Sequence, residues 1–516
     1  MLKQVTRLGV AALISLQPLV AVPLPLNDYN ARKGDTVELF VAGSSAQDYG
    51  LQNMFRLICE SDSLDVYRAP GGGVRLLFCR TKRGATALRG FPEGQKIAFH
   101  KSSVGGSGSG VGPLVQRTAV DFLNVRDIGA HFAARCPVAK RVQHSADGAL
   151  IAYTEHECSN PAPEHQIPDA GVSDVDPQFL LGAYNLGADA IDALSVHHAN
   201  AFIFGIPVSL ALRNALQSAR FPPGDPCNPG NPRYFDSVPA GHGSQVSRGE
   251  SEQCMPSFSQ PQLAGMFSGR LVRWNQVMTP TGLPLAARDP QSGQVRAAPG
   301  IRAPNDDRVY VCRRVDTSGT QAAYEMFFLH QRCTTGVSPF VKTGDNIFLG
   351  SVSSDVPSCL TALDEKNVWA VGILSTETVE SLTNDRWRFI KMDGVAPTLF
   401  NTYNGRWTFF VEQSYQWRNE RSGLELRGAK FSLMSRIGMA LGDPGIIRDL
   451  NRGFRHAWGS AGIVALSDPG WDTPPVRPTP GSPVDADAVD DLPILAIKHD
   501  ANNCGAIVAE YPTVIP

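Results

Sequence analysis

The sequence predicts an α/β protein built from more than one folding unit. Three observations carry this reading. Apolar strand-like runs alternate with stretches of helical periodicity along most of the chain. The 516 residues exceed what one hydrophobic core usually organises. Ten cysteines, widely spaced and without a CxxC pair, point to a disulfide-stapled chain in an oxidising compartment rather than to a redox or zinc motif.

Each element follows from local pattern. DTVELFVAG (35–43) alternates and then reaches small residues, the signature of a strand entering a loop. SSAQDYGLQNMFRLIC (44–59) has apolar residues at helical spacing, and Ser44 or Ser45 is placed to cap that helix. VRLLFC (74–79) and QKIAFHKSS (95–103) read as strands, and GGSGSGVGPLVQRTAV (105–120) as a glycine loop running into a short helix. AGVSDVDP (170–177) is a strand-end turn, and AFIFGIPVSLALRNALQ (201–217) begins as a buried strand. LAGMFSGRLVRWNQV (263–277) is helical and then turns, while residues 306–333 read as strand, loop and helix. VWAVGILST (368–376) is a strand again, and WTFFVEQSYQW (407–417) is an aromatic strand or the start of a helix. Two turn-rich stretches, about 126–169 and 218–262, break the rhythm. Each holds two cysteines and is expected to be a disulfide-stapled excursion.

Spacing suggests pairing Cys59 with Cys79, Cys136 with Cys158, Cys227 with Cys254 and Cys312 with Cys333, leaving Cys359 and Cys504. Sequence does not fix this connectivity. The first residues put Lys3 and Arg7 before an apolar run from about Leu8 to Val22, the layout of a secretory signal peptide, here taken as 1–31. A Sec-type signal implies a periplasmic or secreted protein. Hydrophobic content of 42%, charged content of 19% and a net charge of -2 suit a folded chain and give no reason to expect a nucleic-acid partner. The proline-rich stretch 472–491 reads as an exposed connection.

Four loops share one logic: AGSSAQ (42–47), GGSGSG (105–110), VSDVD (172–176) and RRVDTSGT (313–320). Each follows an apolar run, and most open a helix. Helix N-termini present free N–H groups, Ser and Thr add hydroxyl donors, and arginine adds a charged fork. Converging in a cleft, such ends would bind a tetrahedral oxyanion. None is a Walker loop or a dinucleotide fingerprint, so a nucleotide cofactor is not implied. No cofactor or metal site is expected.

In their order, these loops resemble those of the phosphate-binding proteins of bacterial ABC phosphate uptake, within the type II periplasmic binding-protein superfamily. The resemblance runs through AGSSAQ, GGSGSG, DAGVSD, FGIPVS, GRLVRWNQV, RRVDTSGT, WAVGILST and MDGVAPTLFNTYNGRW, covering roughly 36–125, 170–217, 263–333 and 365–417. It implies a two-lobed fold with a double-crossover hinge: lobe one at 32–204 and 370–516, lobe two at 205–369. It also implies ligand residues. Ser45 stands at the first-loop hydroxyl with Ala46 offering the next N–H, and Ser107, Gly108 and Ser109 stand on the second loop. Asp174 matches the aspartate that accepts a hydrogen bond from protonated phosphate. Arg314 matches the ligand arginine, Asp316 its orienting carboxylate, and Ser318, Gly319 and Thr320 the helix-opening donors. Ala46 stands where the family has phenylalanine, and Thr317 where it has glycine. The implied partners are inorganic phosphate and ABC permease subunits in the inner membrane, with the binding protein itself a monomer and not an enzyme.

Other classes stay open to the sequence. An exported adhesion or structural protein could keep this fold, and another oxyanion could be the ligand. A secreted phosphatase would need a nucleophile such as Ser45 or Ser318 and a base such as His100, His197 or His198, yet no GxSxG or HExxH motif accompanies them.

Overall fold

The computed structural model describes residues 35–466, apart from 86–87, 125–131, 146–147, 160–162, 241–243 and 333–343, together with 497–499 and 502–509. The N-terminal apolar run, Cys333 and the proline-rich stretch lie outside the described residues. Among the described residues, no helix is long and apolar enough to cross a membrane.

Ten elements position the site. Strand β1 (Thr36–Gly43) leads into helix α1 (Asp48–Ile58), and β2 is Lys96–Ser102. Next come β3 (Ala170–Ser173) and the long β4 (Leu194–Ser209). Strand β5 (Tyr310–Arg314) runs into α2 (Gly319–Leu329), and β6 (Ile347–Gly350) into α3 (Asp355–Glu365). Strand β7 (Phe410–Arg418) completes the set, resolving the aromatic stretch as a strand. Its every residue is buried, which a fully covered central strand requires.

One sheet runs through the molecule in the order β6, β5, Ala370–Gly372, β4, β7, β3, β1, β2, Val74–Arg80, Asp65–Arg68, Tyr153–Glu157 and Val138–Val142. Strand β4 is the bridge. Its first half pairs with β7 from Leu194↔Arg418 to Ile203↔Phe410, and its second half with Trp387–Met392 and Val371. Around β1 the pairing is parallel on both sides, to β2 and to β3. Around β5 it is parallel again, to β6 and to Ala370–Gly372. Loops after β1, β2, β3, β5 and β6 therefore all leave carboxyl ends of parallel strands, where open α/β sheets place ligands.

Three of the expected local disulfides form: Cys59–Cys79, Cys136–Cys158 and Cys227–Cys254. The expected Cys312–Cys333 bond does not. Cys312 of β5 instead bonds Cys359 of α3, with the Cα atoms 6.0 Å apart. Proximity in sequence favoured Cys333, but α3 packs over β5 and brings Cys359 within reach. Cys359 is thereby taken, which excludes the leftover Cys359–Cys504 pair, although Cys504 is also disulfide-bonded.

Candidate functional site

Register brings the loops together. Ala42 pairs with Ser102, Gly43 with Val172 and Arg314 with Gly350, so each loop begins beside its neighbour. Gly43 has φ 125°, and a Cβ there would lie 2.0 Å from the Val172 carbonyl oxygen, so only glycine fits this close crossing. The chain then turns through Ser44 to Gln47 before α1. Neither Ser44 nor Ser45 caps that helix; Gln47 holds the cap position without a side-chain bond. Both serines are drawn into tertiary contacts instead.

Asp174 is the centre of one half. It is 1% exposed, accepts from Ser44 Oγ through Oδ1, and accepts from Thr320 Oγ1 at 3.1 Å through Oδ2. Its own N–H donates to Ser107 Oγ at 3.0 Å. Arg314 is the centre of the other half. Its Nε donates to Gly350 O at 3.0 Å and its Nη2 to Ser351 O at 2.8 Å. Its Nη1 donates to Ser45 Oγ and to Ser353 Oγ, each at 3.0 Å. Helix α2 opens between the two halves. A Cβ on Gly319 would lie 2.2 Å from Ser107 Oγ and 2.8 Å from Asp174 Cβ, so this N-terminus reaches the site only as glycine. Ser318 is buried there, and its hydroxyl has no hydrogen-bond partner among the described residues.

The structure thus gathers Ser45, Ser107, Asp174, Arg314, Ser318, Gly319 and Thr320. Four other sequence candidates are directed elsewhere. Ala46 N–H donates to Ser44 Oγ at 3.0 Å, and Gly108 N–H to Thr317 O at 2.8 Å. Ser109 Oγ donates to Gly106 O at 2.7 Å. Asp316 does not take the orienting role: it is half exposed and pairs with Arg313 at 3.3 Å. The carboxylates acting on Arg314 are Asp174, Asp355 and Asp48. Three hydrogen bonds from Arg314 to the loop after β6 set its direction. Thr317, in the place of a glycine, uses its hydroxyl to donate to Gly105 O at 2.6 Å and so locks the second loop to α2.

No family model matches the chain, and no curated protein matches it. Solved structures do. A substrate-binding protein assigned to a phosphate ABC transporter, with bound phosphate, from Clostridium perfringens aligns over 81% of this chain and 98% of its own, at 11% identity and TM-score 0.40. PstS from Borrelia burgdorferi aligns over 81% and 97%, at 10% identity and TM-score 0.31. An ABC-type phosphate transport receptor from Vibrio cholerae aligns over 49% and 68%, at 13% identity and TM-score 0.27. Likeness at this level leaves the ligand to be argued from the site itself.

Electrostatics sharpen the site. Burial holds the Arg314 guanidinium down to about 10, with Asp174, Asp355 and Asp48 pulling the other way. Burial also raises Asp174 above the usual carboxylate range, opposed by Ser44, Arg314 and Thr320. Sequence reasoning missed Lys101, which is 1% exposed at the end of β2. Its Nζ donates to Gly43 O (3.1 Å), Ser44 O (3.0 Å) and Ser103 Oγ (2.8 Å), and lies 3.5 Å from Asp48. Burial lowers it to about 8 against the pull of Asp48. Arg75 pairs with the same Asp48 at 2.8 Å. A further missed carboxyl, Glu377, is raised well above its ordinary value by burial and then by Asp48 and Asp174.

The three histidines considered as bases make contacts of other kinds. His100 stacks on Phe40 at 4.3 Å, His197 on Trp417 at 4.6 Å, and His198 lies 3.0 Å from Asp176.

Proposed function

We propose that the protein is an exported solute-binding protein that captures inorganic phosphate between two α/β lobes, and that it is not an enzyme. One observation carries the reading: loops from the carboxyl ends of parallel strands converge on a buried Arg314 and a buried Asp174. A guanidinium with hydroxyls and a helix N-terminus compensates for desolvating an anion. The carboxylate sets the chemistry of that anion. Phosphate near neutral pH carries a hydrogen that a carboxylate accepts; sulfate carries none and would face an unpaired like charge. Ser107, Arg314, Ser318, Gly319 and Thr320 are the proposed donors, with Asp174 as acceptor, and Ser45 holds the Arg314 guanidinium toward them. Ala46, Gly108, Ser109 and Asp316 support the loops. Within this reading β4 is the crossover strand, residues 32–204 and 370–516 form lobe one and residues 205–369 lobe two, and permease subunits of a transporter receive the ligand.

A second reading is a structural protein that has kept the fold without a ligand. Direct bonds between loops, such as Gly108 N to Thr317 O at 2.8 Å, favour it. Calorimetric titration of ligand-stripped protein with phosphate and sulfate separates the two. Saturable phosphate binding that Asp174→Asn makes less selective supports capture, and no binding of either anion supports the structural role.

A further inference from the structure

The loop after β6, Gly350 to Ser354, lies outside the stretches that resemble the phosphate-binding family, yet it reaches the centre of the site. Its shape is fixed locally. Asp355 Oδ2 accepts from the N–H groups of Ser351 (2.7 Å) and Val352 (3.0 Å). The Cys312–Cys359 bond ties the helix behind this loop to the strand that carries Arg314.

Counting protons assigns a role to Ser353. Ser45 Oγ lies 3.0 Å from both Arg314 Nη1 and Ser353 N, groups that only donate, so both its lone pairs are taken. The Ser45 proton therefore goes to Ser353 Oγ, 2.9 Å away. Ser353 Oγ also accepts from Arg314 Nη1 at 3.0 Å, which fills its own lone pairs. Its O–H is left over, and no further acceptor for it lies within hydrogen-bond distance among the described residues. Ser353 is only 9% exposed, so water is a poor substitute. Arg314 is in the same position: Nη2 has one bond, to Ser351 O, and one N–H to give. A Cβ on Gly106 would lie 3.4 Å from that Nη2 and 3.1 Å from Ser318 Cβ, so Arg314 and Ser318 border one point.

We propose that Ser353 is an additional binding residue of this site, donating its hydroxyl to an oxygen of a tetrahedral oxyanion beside the free N–H of Arg314. The proposal rests on the reading of the site as an anion site. Ser353 and Ser45, 308 residues apart, then close the two sides of the cleft over the ligand.

The test is titration of the full-length, ligand-stripped protein with inorganic phosphate in wild type, Ser353→Thr, Ser353→Val, Ser45→Ala and Ser45→Ala/Ser353→Ala. Threonine and valine share a shape and differ by the hydroxyl. Ser353→Thr is expected to bind within about threefold of wild type, and Ser353→Val roughly tenfold more weakly, the size of one lost hydrogen bond to a charged group. The double variant is expected to bind more weakly than Ser45→Ala, because a direct ligand contact persists when Ser45 is gone. Equal binding by the threonine and valine variants overturns the proposal while leaving the phosphate reading intact. A double variant that matches Ser45→Ala also overturns it, since Ser353 would then act only by holding Ser45. Failure of the wild type to bind phosphate overturns the underlying reading and the proposal with it.

Discussion

Lys101 puts an ammonium group where side chains are almost always apolar. It lies in phase with Ile97 and Phe99 on β2, and all three are at most 1% exposed. That phase was its one sequence signal, since a single lysine in a strand belongs to no motif. Its folded value of about 8 lies below the usual 10.5. Between those values the unfolded chain binds the proton more than the folded one, so stability rises with pH across that window. Chemical denaturation at pH 8 and pH 10 should show this rise, and Lys101→Met should flatten it. Asp174 works in the opposite sense. Its raised value means the folded state holds the proton longer, so its contribution to stability falls as pH climbs from the ordinary carboxylate value toward the raised one. Arg314 was legible because it sits in RRVDTSGT, but the neighbour that orients it was not: Asp316 is nearer in sequence, whereas Gly350, Ser351 and Ser353 are nearer in space. Replacing Arg314 by Lys keeps the charge and loses the fork, and phosphate affinity should fall by at least tenfold in calorimetry.

At the level of elements, helix starts and strand ends were readable because glycine, serine and aspartate punctuate them. The loop after β6 carries the same punctuation and passed unnoticed, since its importance comes from the parallel pairing of β6 with β5, which no local pattern encodes. The disulfide of Cys312 shows the same limit: 47 residues separate it from Cys359, and sheet packing decides the partner. Replacing both cysteines by serine should cost about 4 kcal/mol of stability by the loop-closure relation, read from denaturant unfolding. The same change should weaken phosphate binding, because it frees the loop that holds Arg314. Gly319→Ala puts a methyl against Ser107 and Asp174 and should lower affinity far more than stability. Comparing the variant's unfolding midpoint with its titration checks that split.

For the whole molecule, alternation of strands and helices gave the α/β class, and the order of the loops pointed to the candidate site. The loops after β1, β2 and β3 and those after β5 and β6 leave two sets of strands that run in opposite senses, and they face each other because β4 spans both sets. The length of β4 was not apparent. AFIFGIPVS captures only its buried second half, while LSVHHAN reads as polar and gained its place by pairing with β7. That bridging strand holds the parallel clusters around β1 and β5 in one sheet, and so sets Asp174 against Thr320 and Ser45 against Arg314. The central claim is that these groups form a cleft selective for a protonated oxyanion. Its most direct measurement is calorimetric titration of the ligand-stripped, full-length protein with phosphate and with sulfate at neutral pH. Saturable one-to-one phosphate binding, with sulfate at least about a hundredfold weaker, is the predicted result; no saturable phosphate binding, or equal affinity for the two anions, would contradict it.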